Sequence, residues 1–276
     1  MKKFLVLIVF AMIIIFALSC GNEKKSSGYE LALITDVGTI DDRSFNQGSW
    51  EGLKKYAEEK GITHKYYQPT EKTTDAYIDS IDLAVAAGAK IVVTPGFLFE
   101  PAIYKAQDIH PEVNFVLLDG SPQDGNYQDF RIEKNVYSVF YAEEEAGFLA
   151  GYGAVKEGYT NLGFMGGMAV PAVVKFGYGF VQGVNYAAKE LGIRNVKADY
   201  NYLGGFNPSP EIQTKAASWY RNGVQVIFVA GGGAGNSVMS AAEQNNGYVI
   251  GVDVDQSSES PTVITSAMKM IGESVY

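Results

Sequence analysis

Carboxylates, an amide and an aromatic ring crowd into one short stretch of this chain, Thr35-Asp36-Val-Gly-Thr-Ile-Asp41-Asp42-Arg43-Ser44-Phe45-Asn46. Carboxylates accept hydrogen bonds from hydroxyl and ring N–H groups, and aromatic rings supply stacking faces, so the stretch suits a neutral ligand such as a sugar or a nucleobase. Two further carboxylates, Asp119 and Asp253, end apolar runs, where a lone charge is costly unless something satisfies it. Glycines stand at comparable places, in Gly166-Gly167, Gly204-Gly205-Phe206-Asn207 and Gly231 to Gly235, and let a ligand come close to the backbone. The chain has no Gly-x-x-x-x-Gly-Lys-Ser/Thr, and residues 231 to 235 lack the Gly-x-Gly-x-x-Gly spacing, so phosphate and dinucleotide binding are not indicated.

Catalysis has little support. There is no Gly-x-Ser-x-Gly elbow, no cysteine beyond Cys20 and no histidine near a plausible serine partner. His64 and His110 have no metal-ligand spacing, so neither a metal nor a cofactor is expected. A hydrolase with paired carboxylates is the enzymatic reading left open. Plainer roles compete at several positions: Asp41 or Asp42 as the cap of a helix opening at Ser44, Phe45 as core, and Glu143 to Glu145 as a solvated helix face.

The elements that must position these residues alternate between short β-branched runs and amphipathic stretches, the pattern of βαβ units around parallel sheets. Strands are expected at 30–35, 91–94 and 113–118, with another that ends at Tyr66-Tyr67, and helices over 44–60, 74–87 and 101–109 between and after them. A second series places strands at 162–165, 196–203, 226–230, 248–252 and 263–266, with helices over 140–156, 170–191, 208–220 and 236–244 and another beginning near Met268. The reading is an α/β protein of two lobes: a first lobe over 29–124, a crossover or hinge over 125–141 with pieces of strand around Phe130 to Ile132, and a second lobe over 142–276. In open parallel sheets a ligand sits beyond the carboxyl ends of the strands, which is where the residues singled out above fall.

Composition agrees with a globular chain of 276 residues, 47% hydrophobic and 19% charged. Against 31 Asp and Glu stand 22 Lys and Arg, a net charge of −9, which repels nucleic acid. The single cysteine excludes an intramolecular disulfide. It follows Lys2-Lys3 and an apolar run from Phe4 to Leu18, shorter than the roughly 20 residues a membrane span needs. The run ending in Ala-Leu-Ser-Cys20 resembles a bacterial lipoprotein signal, which implies a signal peptide over 1–19, a lipidated Cys20 and a polar tether over 20–28. An ordinary secretory signal is the alternative. With lipidation, the protein is held at a membrane and faces the periplasm or the cell exterior.

Ile34-Thr-Asp-Val-Gly-Thr-Ile-Asp-Asp-Arg-Ser-Phe-Asn-Gln-Gly-Ser-Trp-Glu-Gly52 is similar to the opening signature of the basic membrane lipoprotein, or PnrA-like, family of ABC-transporter substrate-binding proteins. Glu145-Ala-Gly-Phe-Leu-Ala-Gly151, Gly163-Phe-Met-Gly-Gly167, Phe176-Gly-Tyr-Gly-Phe-Val-Gln-Gly183, Ala230 to Gly235 and Gly251-Val-Asp-Val-Asp-Gln256 match further family motifs in order. The resemblance implies a periplasmic-binding-protein type I fold, with a hinge, that closes on a purine nucleoside of the inosine, guanosine or adenosine type and hands it to an ABC permease. It also implies that Phe45 forms one face of an aromatic sandwich, that Asp36, Asn46 and Asp119 meet the base edges, and that Asp42 and Ser44 shape the loop. Gly232 and Asp253 would hold the ribose with help from Lys269, and the second ring would be Phe176 or Phe206, with a lean to Phe206. Family members run on beyond the position of Tyr276, so the second lobe is expected to be C-terminally incomplete. A binding protein for a sugar or other small solute, or a surface lipoprotein that meets host molecules, are the rival readings.

Overall fold

The computed structural model describes residues 29–36 and 38–276. The expected signal peptide, Cys20 and the tether lie outside them. In the first sheet β1 (Leu31–Ile34), β2 (His64–Tyr67), β3 (Ile91–Pro95), β4 (Asn114–Leu118) and β5 (Val136–Val139) stand in the order β2-β1-β3-β4-β5. In the second, β6 (Asn161–Gly166), β7 (Lys197–Tyr202), β8 (Val226–Ala230), β9 (Tyr248–Asp253) and β10 (Val263–Met268) stand in the order β10-β9-β8-β6-β7. Each sheet therefore repeats one topology, and every strand pairing is parallel. Central strands such as β1 and β8 are buried along their whole length, which is why they read as unbroken apolar runs.

The first lobe carries α1 (Phe45–Lys60), α2 (Thr74–Ala86) and α3 (Glu100–Ile109); the second carries α4 (Glu143–Lys156), α5 (Pro171–Leu191), α6 (Pro210–Arg221) and α7 (Ala234–Asn245). Boundaries follow local chemistry. Gly61 and Gly192 end α1 and α5 in the left-handed conformation, while the Thr73 and Ser209 side chains accept from the third residue beyond and start α2 and α6. Phe164, Phe180 and Phe228 fill the second core, and Tyr77, Phe99 and Phe115 fill the first.

Two expectations about the lobe boundary are corrected. The segment expected as crossover, 125–141, contributes β5, the edge strand of the first sheet, while Phe130 to Ile132 offers only one isolated antiparallel bridge, from Phe130 to Gln123. Asn135 causes this, because its Nδ2 donates to the carbonyls of Gln107, His110 and Val113 and pins the chain beside β4. The first crossing thus narrows to residues 140–142. The chain also crosses back: α8 (Ile271–Val275) leaves the second lobe and packs on α1, where Gly52 and Gly272 meet so closely that a Cβ on Gly52 would lie 2.3 Å from the Gly272 carbonyl oxygen. The last residues therefore belong with the first lobe's surface, not with the second lobe as read from sequence.

Glycines of two motifs hold α4 to α5. A Cβ on Gly147 would fall 2.2 Å from the Phe176 carbonyl oxygen, and one on Gly179 or Gly183 would fall 2.0 Å from the carbonyl oxygens of Glu144 or Phe148. Gly179→Ala is expected to lower stability by about 1–3 kcal/mol through forced separation of the helices. Urea unfolding checks this, and an unchanged midpoint would show that the two backbones do not approach so closely.

Candidate ligand-binding site

The carboxyl ends of the two sheets face each other across a cavity of about 260 Å³, near the lower end of the roughly 300–1,000 Å³ found for small-molecule pockets. Ten residues singled out from the sequence line it: Asp36, Asp42, Phe45 and Asn46 around the first loop, Asp119 after β4, and Phe176, Phe206, Gly232, Asp253 and Lys269 from the other side. The eleventh, Ser44, donates its hydroxyl to Asp253 Oδ2 at 2.5 Å and so joins the lobes.

The first loop is built on two carboxylates. Asp42 accepts from the backbone N–H groups of Ser44, Asn46 and Gln47 at 2.9–3.0 Å, so it is the carboxylate that caps α1, while Asp41 is exposed. Asn46 Nδ2 donates to Asp42 Oδ2 at 3.0 Å and to Asp36 Oδ1 at 2.9 Å, and the Gly38 N–H also donates to Asp36 Oδ1, at 2.7 Å. Burial pushes the Asp36 and Asp42 carboxyls up, against these hydrogen bonds.

Asp119 and Asp253 occupy equivalent places, at the end of the fourth strand of each sheet, and both hold left-handed backbone, with φ of 56° and 68°. That conformation is costly for residues other than glycine and concentrates at functional sites. Asp119 Oδ2 accepts from Lys269 Nζ at 2.5 Å, whereas its buried Oδ1 has no hydrogen-bond partner among the described residues. Burial pushes Asp119 up to about 7, opposed by Lys269 and reinforced by Glu143. Asp253 is also pushed up by burial, with Lys269 opposing.

Lys269 is the basic residue among those lining the cavity, and its side chain is 3% exposed. Its ammonium touches Asp119 and Glu143 Oε1, the latter at 3.1 Å, and lies 4.8, 5.2 and 5.4 Å from the ring centres of Phe45, Tyr141 and Phe176. Burial works against this charge, but Asp119, Asp253 and Glu143 outweigh it and hold Lys269 above the ordinary lysine range. The lobes meet again where Gln256 Nε2 donates to the Arg43 carbonyl at 2.8 Å and the Arg43 guanidinium pairs with Glu259.

The two aromatic candidates differ. Phe176 is 2% exposed, lines the cavity and stands edge-on to the core ring of Phe228. Phe206 is half-buried on the loop after β7 and lies over Gly167, where a Cβ would come within 2.4 Å of its ring. Gly232, with φ of 52°, lies beneath the same ring.

Sequence reasoning missed Phe97, on the turn after β3, and Val170 to Val173 at the start of α5, all of which line the cavity. It also misread Glu143. Glu144 and Glu145 are exposed as a solvated face requires, but the Glu143 side chain is 1% exposed, because the first turn of α4 leaves the lobe crossing and directs it at Lys269 and Lys175. No cluster of His, Cys, Asp and Glu able to hold a metal ion occurs among the described residues.

Fold and cleft together define a two-lobed protein with a cavity of small-molecule size between its lobes. The chain belongs to the family described as ABC transporter substrate-binding protein PnrA-like, whose model matches residues 29–276. It is 31% identical over 272 residues to the ABC transporter nucleoside-binding protein BmpA of Lactococcus lactis, with 90% of this chain and 73% of that one covered. It is also 31% identical to Basic membrane protein A1 of Borrelia garinii, covering 100% of this chain and 79% of the relative. Among solved structures, an ABC transporter solute-binding protein from Aeropyrum pernix superposes with a TM-score of 0.77 at 26% identity, over 90% of this chain and 69% of that one. The protein is thus the substrate-binding part of an ABC transporter and not an enzyme; such a protein carries a small molecule and works with a permease.

Proposed function

We propose that this protein captures a purine nucleoside by lobe closure and delivers it to its permease, from an extracytoplasmic membrane surface where a lipid on Cys20 anchors it. The base lies between Phe45 and Phe206; Asp36, Asn46 and Asp119 meet its edges; Asp253, Gly232 and Lys269 hold the ribose. Asp42 and Ser44 set the loop from which these groups project.

The observation that carries this reading is Asp119 Oδ1, a buried acceptor with no hydrogen-bond partner among the described residues, in a cavity walled by aromatic rings. A base N–H or a ribose hydroxyl satisfies such an atom. Lys269, already paired with two carboxylates, offers no uncompensated charge to a phosphate, which favours a nucleoside over a nucleotide. The name of the Lactococcus lactis relative supports the same ligand class. Because the base and ribose groups come from both lobes, ligand stabilises the closed arrangement over an open one.

Asp253→Asn is expected to weaken nucleoside binding roughly tenfold to a hundredfold, as loss of a charged hydrogen-bond partner does, and to weaken free-base binding less. Equal losses for nucleoside and base would remove its ribose role. Mass spectrometry of small molecules released from natively purified protein tests the ligand class: a purine nucleoside is expected, and recovery of a sugar in its place would overturn the reading.

A further inference from the structure

Glu143 does not line the cavity, yet it is more deeply buried than any carboxylate that does. It begins α4 immediately after the first lobe crossing, and Lys269 follows β10 at the second. Its two oxygens are divided, Oε1 to Lys269 Nζ at 3.1 Å and Oε2 to Lys175 Nζ at 3.2 Å, and Lys175 in turn donates to the Tyr141 carbonyl at 3.3 Å. Lys269 thus meets two carboxylates, Glu143 and Asp119, which are also neighbours of each other, with three aromatic rings around it.

We propose that Glu143 is a positioning residue of the site: it gives the Lys269 ammonium a second anchor, so that Asp119 meets Lys269 through Oδ2 alone and keeps Oδ1 for ligand. A lysine ammonium has three donors on a flexible stem, and without a second anchor it is free to sit across both oxygens of Asp119. Supporting groups of this kind fix the residues that touch ligand. The inference rests on the reading that this cleft holds the ligand, not on which ligand it is.

Around Asp119 the titratable groups are Lys269 after β10, Glu143 on α4 and Tyr141 at the crossing; Asp253 on β9 shares Lys269, and Lys175 on α5 faces the far side of Glu143. Glu143 is a like charge that disfavours ionisation of Asp119, so its removal lowers the Asp119 midpoint.

The test uses the full chain. Carbon-13 NMR of the side-chain carboxyls, without ligand and with the Asp119 resonance identified by Asp119→Asn, reads that midpoint in the native protein and in Glu143→Gln. A fall of about one pH unit is expected. Calorimetry with inosine then reads the consequence: affinity drops about tenfold in Glu143→Gln, and Glu143→Asp recovers part of it. An unmoved midpoint overturns the proposal, even if the variant is less stable. So does a moved midpoint with unchanged inosine affinity. If the native protein binds none of inosine, guanosine and adenosine, the nucleoside reading fails while the midpoint still decides the role of Glu143.

Discussion

Lys269→Met is expected to cost about 3–5 kcal/mol of folding stability, because it strands buried carboxylates without their cation. Asp119 and Glu143 lose a direct ion pair, and Asp253 loses the charge that opposes its burial. In the variant Asp119 and Asp253 stay raised above their unfolded values by burial that Lys269 no longer opposes, while Glu143 keeps Lys175. A raised carboxyl stabilises the fold below the unfolded pKa, and that contribution is lost as pH rises through the folded one. The penalty is therefore largest at neutral and alkaline pH and shrinks toward acid. In the native protein Glu143 runs the other way: Lys269 holds it below the ordinary range against burial, so it contributes stability above the unfolded value that is lost on acidification. Urea unfolding of both proteins at acid and neutral pH measures the difference. An equal loss at both would show that packing of the lysine stem, not its charge, is what the substitution removes.

The second large effect separates the two aromatic rings. Phe206→Ala is expected to weaken nucleoside binding by about 2 kcal/mol, roughly thirtyfold, with little change in stability. Its ring is half-buried on a loop and lies over glycines, so the fold loses little when it goes. Phe176→Ala is expected to cost about 3–5 kcal/mol of stability instead, because that ring is enclosed by the core against Phe228. Calorimetry with inosine and urea unfolding on both variants make the comparison. A collapse in affinity with Phe176→Ala and none with Phe206→Ala would reverse the assignment of the sandwich.

The architecture was legible because parallel strands buried on both faces are uniformly apolar, as in β1 and β8, and their glycine stops are local signals. The edge strand β5 was not, since Val136-Tyr-Ser-Val139 is short and leaves Tyr137 exposed, and its place is set by Asn135 reaching three distant carbonyls. Likewise α8 has five residues and is held by contacts with α1, which no local pattern records. Asp119 and Asp253 could be found because a lone carboxylate ending an apolar strand needs a reason. Glu143 could not: it stands beside two exposed glutamates of the same type, and what distinguishes it is a lysine on the other lobe crossing. The motif glycines 147, 151, 179 and 183 carried family identity in the sequence, but their physical role is the close approach of α4 and α5.

Calorimetric titration of the full chain with inosine, guanosine, adenosine and ribose tests the central claim most directly. The expected result is saturable binding of at least one purine nucleoside and far weaker binding of ribose, because the rings and Asp119 act on the base. Ribose bound as tightly as the nucleosides, or no nucleoside bound at all, would contradict it.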